Sequence, residues 1–306
     1  MTNKTACKRI AYPILTALAI AALYYPVARF CEKRTDTFTI EAISSNRPFE
    51  PKWETHPLSS DEKKEMENAL SQKYRYFGKG GQCYAFFSED GQYVIKFFKQ
   101  RVYKIPLWHH FIPVPYVFNR YKEKKRLKRL DKIERDFFSY KTAYEDLPEI
   151  SGLLYVHLNQ THDLDKTLTI IDLLNIEHRL DLDKFDFILQ RRADMIYPTL
   201  TRLIDEKNKD RSQQIIDQIV DLIVYRCQKG YEDWDPNVRT NCGLLNDRVI
   251  KIDVGRFIAN EKMKSKEMCA SELIRVTTPF KGWLMNQDPD LANYCDAAVA
   301  KAIEAL

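Results

Sequence analysis

Apolar and polar residues alternate most clearly between Tyr74 and Lys99. Tyr74 to Phe77 runs into a glycine cluster, Cys83 to Ser88 leaves it, and Asp90-Gly91 is a hairpin turn before the strand Gln92 to Lys99. The period of two on that strand puts Val94, Lys96 and Phe98 on one face and Tyr93, Ile95 and Phe97 on the other. The preceding segment has a helical period. Ser59 and Glu62 have capping-box form, and Met66, Leu70 and Tyr74 then recur at helical spacing.

Farther along, the basic run from Arg120 has a helical pattern with Leu127, Leu130, Phe137 and Tyr144 on one side. Two short apolar segments, Gly152 to Leu158 and Leu168 to Asp172, flank the polar turn Asn159 to Lys166 and predict a hairpin. Beyond Asp172 the pattern predicts helices over Phe185 to Ile204 and Gln213 to Cys227. Ile216, Ile219, Val220, Ile223 and Val224 keep the 3.6 period there, and Gly230 is a natural stop. A strand-rich half thus precedes a helix-rich half. Residues 31–58 mix charge, Thr, Ser and the prolines Pro48, Pro51 and Pro57 without a period and read as a linker. Residues 100–120 combine prolines and aromatics and read as an irregular insertion.

The amino terminus differs from the rest. No charge interrupts Ile10 to Ala28, Lys4, Lys8 and Arg9 precede it, Arg29, Lys33 and Arg34 follow, and Tyr12, Tyr24 and Tyr25 sit near its ends. The expectation is a single-pass transmembrane helix. Small-x-small sites at Ala17-Leu18-Ala19 and Ala19-Ile20-Ala21 offer a cleaved signal peptide and an exported chain as the alternative, with a buried core helix as the third. Flanking charges are nearly balanced, so sidedness stays open. The expected organisation is a tail over 1–9, the apolar segment over 10–28, a linker over 29–58, an N-lobe over 59–172 with its basic and aromatic insertion at 100–129, and a helical C-lobe over 173–306.

Composition narrows the chemistry. A chain of 306 residues with 44% hydrophobic content can bury a core, and a net charge of +5 does not by itself argue for nucleic acid. The seven cysteines are scattered, odd in number and never spaced C-x-x-C, which argues against a disulfide framework and a zinc site. Among the histidines only His109-His110 cluster. Charge is concentrated: between Lys96 and Arg129 there are eleven Lys or Arg and one acid, Glu123. Arg120 to Arg129 is expected to face either solvent or the anionic headgroups of membrane lipid.

Two distant constellations carry candidate chemistry. Gly78, Gly80 and Gly81 lack the side chains that would keep a backbone from a phosphate, and Lys96 follows on the next strand but one. Asn241 and Asp253 supply oxygen ligands for a hard cation, with a hairpin turning at Asn246-Asp247 between them. Together Gly78-Lys79-Gly80-Gly81-Gln82-Cys83, Val94-Ile95-Lys96, Asn241 and Asp253-Val254-Gly255 resemble the protein kinase-like superfamily over roughly residues 74 to 260, in an atypical, phosphotransferase-like form with a degenerate catalytic loop.

The resemblance implies an α+β fold of two lobes, a small antiparallel sheet lobe and a helical lobe, here behind an N-terminal transmembrane helix. It implies ATP and Mg2+ as cofactors, with Asn241 and Asp253 on the metal and Lys96 on the phosphates. Glu134 would pair with Lys96, and Glu145 is the second choice. The base would be Asp235, six residues before Asn241, or Asp233, four before Asn237, whereas the family's spacing is five. Cys83 stands where the family often has its third glycine. Only 51 residues follow Gly255 and they hold no A-P-E, so protein phosphorylation is not implied. A phosphoryl-transferring kinase-like enzyme is the leading reading. A pseudokinase acting as a membrane-tethered binding module and an AMP-transferring enzyme are the alternatives, and the phosphoacceptor is not legible.

Overall fold

The computed structural model describes residues 16, 20, 22–45, 47–100 and 116–306, without the side chains of 116–119, 121 and 122. Alternation around the glycine cluster produces the expected strands β1 (Tyr74–Lys79), β2 (Cys83–Ser88) and β3 (Tyr93–Phe98). They pair in series as antiparallel neighbours, with Gly91 at a φ of 70° in the turn where a side chain would be strained. A register shift between Tyr76 and Gly78 bulges β1 at Phe77, which is exposed and stacked on Phe87 at a centroid distance of 4.1 Å.

Four further strands complete a mixed sheet: β4 (Leu153–His157), β5 (Thr167–Ile171), β6 (Glu177–Asp181) and β7 (Phe187–Arg191). Their order is β4-β7-β3-β2-β1-β5-β6, with β1 and β5 parallel. The two apolar segments expected to form a hairpin therefore stand toward opposite edges of the sheet. Asp183 organises the turn between them, accepting from the backbone N–H groups of Leu164 at 3.1 Å and Asp165 at 2.9 Å, and β5 turns back onto β6 instead. The second difference is β7, read from the sequence as the start of a helix. Phe187, Ile188 and Leu189 are buried on both faces between β3 and β4, and burial on both faces erases the period of two. The sheet consequently runs to Arg191, past the boundary expected at residue 172.

Two cores flank this sheet. Tyr93, Ile95 and Phe97 pack on one side with Tyr84, Phe86 and the capped helix α1 (Ser60–Leu70), whose Ser59 and Glu62 form the reciprocal cap. Phe38 and Ile43 belong to the same core, and Trp53 joins the other one. Residues 38–45 and 47–58 are thus part of the folded unit, where a linker was expected. This segment is built of short turns, so it has no period to read. Arg47 fastens it, pairing with buried Asp186 at 2.9 Å and lying 4.2 Å over the Phe137 ring.

On the other side lies α2 (Tyr116–Glu145), a single long helix. Its second half buries Ile133, Asp136, Phe137, Ser139, Tyr140 and Tyr144, while Glu123 to Lys128 are exposed. The helix-rich half follows as α3 (Ile196–Asp205), α4 (Lys209–Gln228), α5 (Lys266–Gln287) and α6 (Pro289–Ala305). Gly230, at a φ of 81°, ends α4 as its position in the sequence implied. Short strands hold the connecting loops: β9 (Tyr231–Asp233) pairs with β12 (Phe257–Ala259), and β10 (Cys242–Leu245) pairs with both β8 (Asp194–Met195) and β11 (Arg248–Lys251). Asn246 and Asp247, both at positive φ, form the β10–β11 turn. Among the described residues no helix is long and apolar enough to cross a membrane, and most of the 10–28 segment lies outside them. The same holds for most of the irregular insertion.

Candidate functional site

Lys96 and Ala85 border two adjoining cavities. The larger, about 560 Å³, lies between the sheet and the segment leaving β7, lined by Phe77, Phe87, Val94, Ala193, Met195 and Ile252 among others. The bulge that exposes Phe77 turns it over this space. The smaller, about 190 Å³, is bounded by Gly80, Gly81, Gln82, Cys83, Tyr140, Asp235, Asp253 and Arg256. Glycine loop, lysine and two candidate acids from opposite ends of the sequence therefore meet in one place.

The glycines face open space: a Cβ added at Gly78, Gly80 or Gly81 would meet nothing within 4 Å, and none has positive φ. Packing in this fold does not require them. The loop itself is held at its base, with Gly80 N–H donating to Cys83 O at 2.9 Å, Lys99 N–H to Gln82 O at 2.8 Å and the Lys99 ammonium to Gly80 O.

Lys96 donates to the backbone carbonyl of Ile252 at 2.6 Å, beside Asp253. Burial holds its pKa below the ordinary lysine value of 10.5, and the Asp253 charge opposes that shift. Glu134 is not its partner. That residue is exposed and pairs with Lys52, and Glu145 instead accepts from His56 N–H at 3.2 Å. The helical period explains the correction, because positions 133, 136, 137 and 140 face inward and 134 then points out. The acid that α2 does bury is Asp136, whose charge acts on Cys83 and Lys132. It stands one position before Phe137, on the buried side of the helix. Cys83 is buried, and burial pushes its thiol up to about 12, so it is an inert packing residue.

The two aspartates at the end of β9 and just after it have different surroundings. Asp233 is buried, forms an ion pair with Lys251 and accepts from Asp235 N–H at 2.8 Å. Its own carbonyl accepts from Arg275 at 2.7 Å, and Arg275 also binds Glu272, which pairs with buried Arg226 at 2.6 Å. A chain of charges from α4 and α5 thus pins the loop. Asp235 is exposed at the cavity, and its backbone carbonyl accepts from both Lys251 Nζ at 2.9 Å and Asn241 Nδ2 at 2.8 Å. Its backbone is fixed at both ends while its carboxylate borders the cavity.

Asn241 and Asp253 are joined through the backbone: Asn241 O accepts from Ile252 N–H at 2.8 Å, and the N–H of Asp253 lies 3.5 Å away. Asp253 Oδ1 accepts from Gly255 N–H at 3.2 Å, closing a tight turn. The donor set suits a hard cation: Asp253 offers a carboxylate at the cavity, and the Asn241 amide, its NH2 given to Asp235, keeps its oxygen. No cluster of three or more His, Cys, Asp or Glu able to hold a metal occurs among the described residues, so any cation here would rely on this mixed pair. Arg256, lining the same cavity just after Gly255, escaped the sequence reading.

No family model matches the chain, and no curated protein matches it. Several solved structures are similar at low identity. WbdD shares 13% identity at a TM-score of 0.35, over 73% of this chain and 44% of that one. A second structure, of the bifunctional kinase-methyltransferase WbdD, shares 12% at 0.36, over 76% and 46%. The complex of Rv3197 with erythromycin, from Mycobacterium tuberculosis, shares 12% at 0.33, over 93% and 73%. The chain spans less than half the length of the WbdD chains it resembles. Likenesses at such scores carry no chemistry across.

Proposed function

We propose that this chain is a kinase-like phosphotransferase that binds Mg-ATP in the two adjoining cavities, the nucleoside in the larger and the phosphates in the smaller. The observation that carries the reading is the convergence of Gly80, Gly81, Lys96, Asp235 and Asp253 on one 190 Å³ space from segments over 100 residues apart. The open glycine backbone admits phosphate oxygens, and Lys96 supplies a positive charge whose present cost of burial a phosphate would relieve. Asp253 and Asn241 are the residues that would hold magnesium, whose charge would neutralise that of the phosphates.

Asp235 is the base in this reading. A hydroxyl on the acceptor would donate to its carboxylate, which takes the proton as the oxygen attacks the γ-phosphorus and the bond from that phosphorus to the departing ADP breaks. The clamps from Lys251 and Asn241 fix the backbone from which that carboxylate extends, and part of the rate gain comes from such positioning. Asp233 is the anchor of the loop, buried against Lys251.

Labelled ATP tests the reading. Label carried on the γ-phosphate is expected to pass to an acceptor or to water, and label on the α-phosphate is not. Transfer of the α-label would make the chain an AMP transferase, and bound nucleotide with no transfer of either label would make it a binding module.

A further inference from the structure

Gln82 follows two exposed glycines yet is itself buried, and both ends of its carboxamide are used. Nε2 donates to Gly255 O at 3.0 Å, and Oε1 accepts from the Tyr140 hydroxyl at 3.2 Å. One residue therefore joins three elements: the glycine loop, the Asp253-Val254-Gly255 turn and α2. A buried glutamine is satisfied only when both its donor and its acceptor find partners, which restricts it to this placement. Gly255 is shaped to receive it. A Cβ there would overlap Oε1 and lie 2.9 Å from Cδ and 3.0 Å from Nε2, closer than real side chains approach.

The same helix grips the turn a second time. Ser139, fully buried, donates to Val254 O and accepts from Phe257 N–H at 2.6 Å. Consecutive residues of α2 thus hold the turn directly, through Ser139, and the glycine loop indirectly, through Tyr140 and Gln82. Among the described residues, Gln82 is the side chain of the glycine loop that hydrogen-bonds to the turn.

We propose that Gln82 is a positioning residue, a brace that holds the glycine loop at a set height above the Asp253 turn and makes nucleotide affinity depend on α2. This rests on the Mg-ATP reading of the cavity. With the brace in place, the loop backbone and the Asp253 carboxylate face each other before nucleotide arrives, so less ordering opposes binding. Without it the glycines, around which a side chain would find only open space, lose their register with the metal-holding turn.

The test is a cycle of Gln82→Ala, Gly255→Ala and the double variant in the full-length protein. Read-outs are the Kd of Mg-ATP by displacement of a fluorescent ATP analogue and the melting temperature without nucleotide. Gln82→Ala is expected to weaken Mg-ATP about tenfold. Gly255→Ala should do as much by expelling the carboxamide, yet cost no more than about twofold further in the Gln82→Ala background, where no carboxamide is left to expel. Gln82→Glu keeps the shape but, as a carboxylate above neutral pH, cannot donate to Gly255 O, and should follow Gln82→Ala there; Tyr140→Phe should weaken binding less. Full additivity of the two alanine variants overturns the brace. So does a Gln82→Ala protein that melts earlier but binds Mg-ATP as the wild type does. A wild type that fails to bind Mg-ATP overturns the proposed function and the brace together, whereas unchanged affinity in Gln82→Ala and Gln82→Glu overturns the brace alone.

Discussion

The side-chain amide of Asn241 donates to the backbone carbonyl of Asp235 at 2.8 Å, six residues earlier in the chain. That contact closes the loop between them. Asn237 caps a helical turn over Val238–Asn241, its side chain accepting from Arg239 N–H, and this turn brings Asn241 back beneath Asp235. One helical turn thus bridges the six residues between Asp235 and Asn241.

The two aspartates are expected to respond oppositely to loss of charge. Asp235→Asn should leave the melting temperature and Mg-ATP affinity near wild type and lower transfer by at least about 100-fold, the usual scale for a missing base. Asp233→Asn should destabilise the fold by about 3–5 kcal/mol, since it leaves Lys251 buried against a neutral partner. Urea denaturation and a transfer assay on both variants decide this, and the reverse pattern would exchange their roles.

Glycine substitutions separate packing from ligand approach. Gly80→Ala and Gly81→Ala should not change stability without nucleotide, because the added Cβ meets nothing, but should weaken Mg-ATP. At Gly243 a Cβ would lie 2.7 Å from Ala193 Cβ and 3.0 Å from Asp194 O under the larger cavity. Gly243→Ala should therefore cost about 1–3 kcal/mol in denaturant midpoint measurements.

The depressed pKa of Lys96 gives a signed pH effect. Its folded value lies below 10.5, so between the two values the unfolded chain binds more protons and stability rises with pH. Below the folded value the burial cost is fully present; above 10.5 it is gone. The stability of wild type relative to Lys96→Met should accordingly increase as pH rises toward 10.5, with the shift diminished by saturating Mg-ATP. A difference that falls with pH would place Lys96 in a charge-stabilising environment instead.

At the amino terminus the described helical residues 22–35 expose Leu23, Tyr24, Tyr25, Val27 and Phe30. Together with the uncharged run from Ile10, this leads to the expectation that the chain resists a carbonate wash of membranes, since apolar burial is insensitive to charge screening. Release at high salt would assign any attachment to the basic half of α2, and a mature chain beginning near Ile20 or Ala22 would mark a cleaved signal peptide.

Legibility in the sequence followed exposure and punctuation. β1, the cap at Ser59 and the Asn246-Asp247 turn were readable because each has a wet face or a turn residue with a specific backbone need, and β2 and β3, though largely buried, are marked off by the glycine cluster and the Asp90-Gly91 turn. β7 was not, since Phe187, Ile188 and Leu189 are dry on both sides, and residues 38–45 and 47–58 pack as isolated anchors with no repeat. Within the site, Gly80, Lys96, Asp235 and Asp253 were readable as chemistry and do share a cavity. Glu134 failed because the helix that buries Ile133, Phe137 and Tyr140 leaves it facing solvent, and Gln82 was overlooked because its role depends on Tyr140 and Gly255, which only the fold brings near.

The most direct measurement is the melting curve of the full-length protein against Mg-ATP concentration, for wild type, Lys96→Met and Asp253→Ala. The wild type should gain about 2.7 kcal/mol at 100-fold its dissociation constant, with little or none of that gain in either variant. A folded wild type whose melting temperature does not move at millimolar Mg-ATP, or equal shifts in all three proteins, would contradict a nucleotide site built on Lys96 and Asp253.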